Sequence, residues 1–489
     1  MNHQKVGISA IATYVPPYRV DLEKWCEWTN QSWEKVENVI GTGFRMMGPN
    51  QTVYTMAANA VLDLILSHEI DSSEIGFLAL GTESSTDNSA GSIIIKGMVN
   101  KELERRSMKP ISNNCEVPEY KQACLSGIYA LKNAVRFIKT DAPSLKSIVV
   151  CSDIALYQIG ASGEPTQGAG AVAALIESNP KIAEVRTSEA GSASDYRHLD
   201  FRKPIQYRAK QANGHSDFDL ELPIFNGKYS SSCYVDGTLN AMDNMSSKNS
   251  GHLANHLRST KAIFMHRPFK KMPITAFSIA YLYALAHGDD RDHEELTRYI
   301  DLSKLDQDKI LEELLNKPNV SDFPETDINR EAFPLTTELV KIIHKEPDFQ
   351  TNVVSKLSFG SALTTEMGNI YSGSVFGWLS AGLEDALKNG IDLSNEEALM
   401  IGYGSGDAAE VIPIFFVEGW QESAKLTPFS NAFESYINLT HKQYLKLRSE
   451  KTTNGIDYNL KNEFVVRKIG SEERVDFQDA GIEYYEFLN

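Results

Sequence analysis

The sequence is short of the features that would mark a secreted, membrane or nucleic-acid-binding protein. Only 5 of its 489 residues are cysteine (Cys26, Cys115, Cys124, Cys151, Cys233), an odd number with no CxxC spacing. That excludes a disulfide-built scaffold and argues against a zinc or dithiol motif; reduced thiols in a cytoplasmic compartment are expected. No run approaches the roughly 18 uninterrupted apolar residues of a membrane span. The N-terminal MNHQKVGISAIATYVPPYRV has neither the basic start and long apolar stretch nor the cleavage site of a secretion signal. Positive charge is also scarce: 48 Lys and Arg against 65 Asp and Glu leave a net −17. This argues against nucleic acid or an anionic membrane as partner. An anionic small ligand remains open if a local basic pocket holds it.

What is present is ordinary globular material, 42% hydrophobic and 23% charged. At about 150 residues per domain the length suggests about three units, or one large interlocked one. Val6 to Tyr14 reads as a buried strand ended by Pro16-Pro17, Thr55 to Ser67 as a helix, and Ile75 to Gly81 as a second buried strand. In residues 122–139, Leu125, Ile128, Leu131, Val135 and Ile138 recur at helical spacing, and Ser147 to Cys151 is again strand-like. Alternating buried strands and helices indicate an α/β protein with helix-covered sheets. The second half repeats the plan. Residues 355–363 and 368–390 form a turn-plus-helix unit like the one at Cys124, and 398–419 echoes 163–178. An internal duplication is expected, with halves at 1–180 and 181–489. The charged stretch 287–350 reads as inserted exposed helices, and the polar residues 446–475 as peripheral.

Cys124 stands at the start of an apolar helix, in KQACLSG. Unpaired N–H groups and the positive end of a helix dipole favour a thiolate, and small neighbours leave room for a substrate. The bland alternative is a buried core thiol. Cys115, Cys151 and Cys233, in or beside strand-like runs, take that reading, and Cys26 sits on a Trp-rich helix with no base nearby.

EVPEYKQACLSGIYALKNA resembles the nucleophile segment of 3-hydroxy-3-methylglutaryl-CoA synthases, and the resemblance continues in order from about residue 80 to 410. GTESSTDNSAG (81–91), SGEPTQGAGAVA (162–173), DFRKP (200–204) with NGKYSSSCY (226–234), IFMHRPFKKM (263–272), EMGNIYSGSVFGWL (366–379) and GYGSG (402–406) are each similar to a family block. The resemblance implies a thiolase-like fold of two duplicated α/β halves in a layered αβαβα core, with a helical insertion and a peripheral C-terminal segment. It implies acetyl-CoA and acetoacetyl-CoA as substrates, no cofactor, no metal and a cytoplasmic homodimer on the mevalonate route. Cys124 would carry the acetyl group, Glu83 would remove a methyl proton, and His266 would assist at the acceptor ketone. Lys271 would meet CoA, Asn369 would donate to a thioester or enolate oxygen, and Thr166, Ser230 and Ser405 would contact substrate. Lys270 and Arg267 could add to the positive field, or form a solvated basic turn.

Three positions depart from the family pattern. Leu125 replaces the usual tyrosine, Gly402 a serine, and Thr275 stands where a second lysine is often found. They put the acceptor and the CoA affinity in question. One alternative is condensation on a β-ketoacyl chain carried by an acyl carrier protein. A ketoacyl-synthase-III-like enzyme uses Cys, His and Asn but lacks a counterpart of Glu83, and a non-catalytic thiolase-fold scaffold would not need all four residues.

Overall fold

The runs read as buried strands are strands, and both of their faces are covered. Val6–Tyr14 and Ile75–Gly81 form with those bounds, almost wholly buried. The computed structural model describes residues 4–85, 87–200, 222–223, 226–249 and 251–489. Among these, ten strands form one sheet. They are β1 (Val6–Tyr14), β2 (Ile75–Gly81), β3 (Glu119–Tyr120), β4 (Lys146–Ala155), β5 (Gly168–Ser178), β6 (Ala183–Val185), β7 (Gly191–Ser194), β8 (Ala262–Met265), β9 (Glu397–Gly404) and β10 (Ala408–Phe416). Their order is β8-β9-β10-β6-β1-β5-β4-β2-β3, with β7 also on β10. The pairing repeats. β1 to β5 and β5 to β4 are antiparallel and β4 to β2 parallel, while β6 to β10 and β10 to β9 are antiparallel and β9 to β8 parallel. The two sets join where β1 meets β6.

Helices of seven or more residues are numbered likewise. The first half holds α1 (Leu22–Thr29), α2 (Trp33–Val39), α3 (Val53–Ser67), α4 (Gly91–Arg105) and α5 (Ser126–Thr140). The second holds α6 (Gly227–Asn249), α7 (Leu253–Ser259), α8 (Lys271–Ala286), α9 (Asp290–Ser303), α10 (Gln307–Leu315), α11 (Pro334–Ile343), α12 (Ser374–Lys388) and α13 (His441–Glu450). Period-two alternation along the strands feeds two cores. Leu78, Leu80, Ile148 and Val150 meet α3, whose start is closed by a Thr52–Thr55 capping box. Ala79, Val149 and Cys151 on the opposite face belong to the core that contains Ile128, Leu131 and Val135 of α5.

Three readings are refined. Cys233 lies in α6, not by a strand, although like the other four cysteines it is buried and outside any disulfide. The insertion does form helices, but their inner faces, including Leu296, Tyr299, Ile310 and Leu339, are part of the main core. In the C-terminal segment Phe464–Ile469 pairs with Glu483–Phe487, burying Phe464 and Val465. No helix of the described residues is long and apolar enough to cross a membrane.

Helix α5 sits unusually close to the strand ends. A Cβ on Gly127 would lie 2.4 Å from Cys151 Sγ and 2.7 Å from the Ser372 carbonyl oxygen. Gly127→Ala should therefore cost about 1–3 kcal/mol through overpacking, read as a lower urea midpoint. An unchanged midpoint would mean that this close approach is not a constraint.

Candidate active site

Two strand-end loops and one tight turn bring the reactive groups together. Ala123 adopts a left-handed conformation (φ 45°) just ahead of α5, and Leu125 N–H and Ser126 N–H close back on the Gln122 and Ala123 carbonyls. This turn places Cys124 two residues before the helix begins at Ser126. Cys124 Sγ donates to Glu83 Oε2 at 3.3 Å, from the loop after β2. The thiol thus has a carboxylate as its proton acceptor. Cys124 also packs with Ala155, Tyr157 and Tyr371.

The Glu83 loop is held by Asp153, a buried carboxylate near the end of β4. Its Oδ1 accepts from Thr82 Oγ1 (2.9 Å), Glu83 N–H (2.8 Å), Ser84 N–H (3.1 Å) and Ser84 Oγ (2.8 Å). Its Oδ2 accepts from the backbone N–H of Ser372 (3.0 Å) and from the Ser372 hydroxyl. Burial nonetheless raises its pKa, ahead of the opposing effect of these donors. The sequence reading missed Asp153. The available signal was a carboxylate inside the otherwise uncharged SIVVCSDIA.

Cys124, Thr166, Ser230, His266, Lys271, Asn369 and Ser405 all line one cavity of about 740 Å³. Glu83 is not among the lining residues; it contacts Cys124, which is. His266 follows β8, its N–H donating to the Ile401 carbonyl (2.7 Å) and its carbonyl accepting from the Tyr234 hydroxyl (2.7 Å). Burial pushes the imidazole down to about 3, so it is neutral at ordinary pH. His266 Nδ1 and Ser230 Oγ are buried and have no hydrogen-bond partner among the described residues. Asn369 N–H donates to the Thr166 carbonyl (3.1 Å), and its side-chain oxygen accepts from Tyr371 N–H (2.9 Å). With the amide assigned that way its NH₂ remains available as a donor. Burial also raises the phenols of Tyr157, Tyr234 and Tyr403, keeping these further lining groups protonated.

The cavity carries positive charge that composition hides. Among the described residues, Lys35 of α2, Lys228 of α6, Lys271 of α8 and Lys341 of α11 line it, all exposed, against one acid, Glu331, 4.0 Å from Lys228. Three of these lysines were not singled out in the sequence, and Lys341 with Thr337 comes from the insertion. Arg267 does not join them. It is buried over the Trp378 ring (5.0 Å to the centroid) and is not among the lining residues, so it is not a solvated turn residue; burial lowers it to about 10, which leaves it a cation at neutral pH. Lys270 donates to the Glu37 carbonyl instead, at 3.4 Å.

Two of the departures explain each other. A Cβ on Gly402 would lie 2.6 Å from Leu125 Cδ1, so the leucine occupies the space that a serine side chain would need. Neither residue lines the cavity, whereas Thr275 does. The hydroxyl of the lining Tyr403 lies within hydrogen-bond distance of Asp200 (2.7 Å) and Asp407 (2.8 Å), and Arg197 pairs with Asp407 (2.9 Å) and Asp236. Burial and then the neighbouring Asp200 raise the Asp407 carboxyl well above the usual carboxylate range. Residues 201–204 of the DFRKP block lie outside the described residues.

Comparison with known proteins places this geometry. The family models described as hydroxymethylglutaryl-coenzyme A synthase N terminal and C terminal match residues 2–181 and 214–464. A hydroxymethylglutaryl-CoA synthase of Enterococcus faecalis is 24% identical over 461 residues, covering 94% of this chain and 95% of its own. That of Saccharomyces cerevisiae is 27% identical over 455 residues, covering 90% and 81%. Among solved structures, MvaS in complex with 3-hydroxy-3-methylglutaryl coenzyme A superposes with a TM-score of 0.76 at 21% identity, over 99% of this chain and all of that one (100%). The curacin biosynthetic pathway HMG synthase in complex with acetyl donor-ACP gives 0.72 at 17%, with the same coverage. At these identities the structural likeness establishes the fold, which is thiolase-like.

Two predictions follow from the buried groups. Asp153→Ala strands several buried donors at once and should cost at least about 2 kcal/mol; urea unfolding would show it, and a wild-type midpoint would deny Asp153 its tying role. For His266 the folded pKa of about 3 lies below the unfolded value of 6.5. The unfolded chain then binds the extra proton, so its contribution is complete above pH 6.5 and is lost as pH falls toward 3, by at most about 1.4 kcal/mol per unit. His266→Gln should flatten the stability slope between pH 6.5 and 4.5, and an undiminished slope would contradict the burial.

Proposed function

The chain belongs to the hydroxymethylglutaryl-CoA synthase family, and from that premise we propose how its cavity performs the condensation of acyl thioesters that makes it an acyltransferase. The observation that carries the reading is the 3.3 Å contact between Cys124 Sγ and Glu83 Oε2 beside a cavity lined by His266 and Asn369.

Glu83 accepts the thiol proton as sulfur attacks acetyl-CoA, and the proton leaves with the CoA thiol. The result is an acetyl-thioester on Cys124, a covalent intermediate that divides one hard step into easier ones. The freed carboxylate next removes a proton from the acetyl methyl group. Asn369 donates its amide hydrogen to the enolate oxygen, where negative charge develops. The carbanion attacks the 3-ketone of acetoacetyl-CoA. Neutral His266 donates a hydrogen bond to the alkoxide, and the proton held by Glu83 neutralises it. Water then hydrolyses the bond to Cys124, releasing 3-hydroxy-3-methylglutaryl-CoA and the thiol. Thr166, Ser230 and Ser405 contact the acyl portions, and Lys271 with Lys35, Lys228 and Lys341 faces the phosphates of CoA.

A second reading keeps the chemistry and changes the carrier. The exposed lysines sit on four elements, a spread that also suits an acidic acyl carrier protein, and a structural neighbour is complexed with a donor carrier protein. The homodimer, the cytoplasm and the mevalonate route are read from the family likeness, and sedimentation would test the first.

Purified protein given acetyl-CoA and acetoacetyl-CoA should form the hydroxymethylglutaryl product, and Glu83→Ala should slow condensation by about 10²–10⁴-fold. Undiminished product formation would remove Glu83 from its role. Lys341→Glu with Lys271→Glu should raise KM for the CoA acceptor and make it less salt-dependent. Turnover only with acetoacetyl carrier protein would select the second reading.

A further inference from the structure

The loop from β4 to β5, residues 156–167, supplies Tyr157, Ser162, Gly163 and Thr166 to the cavity wall. Its only regular structure is one turn at Glu164–Thr166, so something outside it must hold it against Cys124. The buried face of α13 does so. Tyr444 and Arg448, one turn apart, project to the same side. Arg448 Nη2 donates to the Tyr157 carbonyl at 2.6 Å, a charge-assisted bond to the backbone of the residue whose ring packs beside Cys124. Tyr444 donates to Glu164 Oε1 at 2.6 Å, and that carboxylate also accepts from Trp25 Nε1 (3.2 Å) and from Gly160 N–H (2.6 Å). Gln167 closes the ring: its amide donates to the Tyr444 hydroxyl (3.2 Å), and its oxygen accepts from Tyr157 N–H (3.1 Å). Both backbone polar groups of Tyr157 are therefore fixed, one by α13 and one by a side chain that α13 holds. The helix itself is seated by Trp28, stacked on His441 at 5.1 Å, and by buried Leu447.

We infer that Tyr444 and Arg448 are positioning residues for acetyl transfer: through the 156–167 loop they hold Tyr157 at Cys124 and touch no substrate themselves. The inference rests on the reading of Cys124 as the acetyl carrier. It gives the C-terminal helix a part in the first chemical step.

The experiment measures labelling of the full-length protein by radiolabelled acetyl-CoA, resolved into a maximal rate and a donor KM, with melting temperature recorded. Arg448→Ala should lower the maximal acetylation rate by about ten-fold with little change in donor KM. Arg448→Lys should restore much of it, and Tyr444→Phe, which keeps the ring and deletes the donor, should lose an intermediate amount. An Arg448→Ala protein that acetylates at the wild-type rate would overturn the inference. So would loss that tracks melting temperature alone, with Arg448→Lys no better than alanine. If Arg448→Ala does not fold, unchanged rates in Arg448→Lys and Tyr444→Phe both count against it. Failure of wild type to acetylate would instead sink the functional reading.

Discussion

The site depends on one buried carboxylate. Asp153 gathers the N–H and hydroxyl groups of Thr82, Glu83, Ser84 and Ser372, and so fixes two loops from opposite halves of the chain on a single side chain. Without it the Glu83 carboxylate would have no set distance from Cys124. The close approach of α5 at Gly127 adds the second constraint, because Cys124 lies in the turn that leads into that helix. Fold and chemistry are coupled at this point: the packing that seats the helix also seats the nucleophile.

Around this core the protein separates its charges by place. Overall it is strongly acidic, yet four exposed lysines from four helices gather along one cavity, where their field acts within about a Debye length. The interior groups are handled differently. His266 is kept neutral and Tyr157, Tyr234 and Tyr403 protonated by burial, so the walls offer hydrogen-bond donors rather than charges. Such preorganised donors suit oxygens that gain negative charge during a condensation.

Much of this was legible in the sequence because the relevant signals are local. Continuous apolar runs gave β1 and β2 their bounds, helical spacing marked α5, and motif resemblance marked Glu83, Cys124, His266 and Asn369. Long-range partners were not legible. Lys35, Lys228 and Lys341 lie more than a hundred residues apart and converge only through the fold. Asp153 fell just beyond the strand read at 147–151 and was not singled out, and the polar stretch around Arg448 gave no hint that it would reach the Tyr157 backbone. The departures at Leu125 and Gly402 were visible as differences, but only packing shows that one fills the space left by the other.

The central claim is that Cys124 carries an acetyl group during turnover. Its most direct test is mass spectrometry of the protein quenched after brief exposure to acetyl-CoA alone. The account predicts one added acetyl group, mapped to the peptide bearing Cys124 and missing from Cys124→Ser. An acetyl group on another residue, or one that survives in Cys124→Ser, would contradict it.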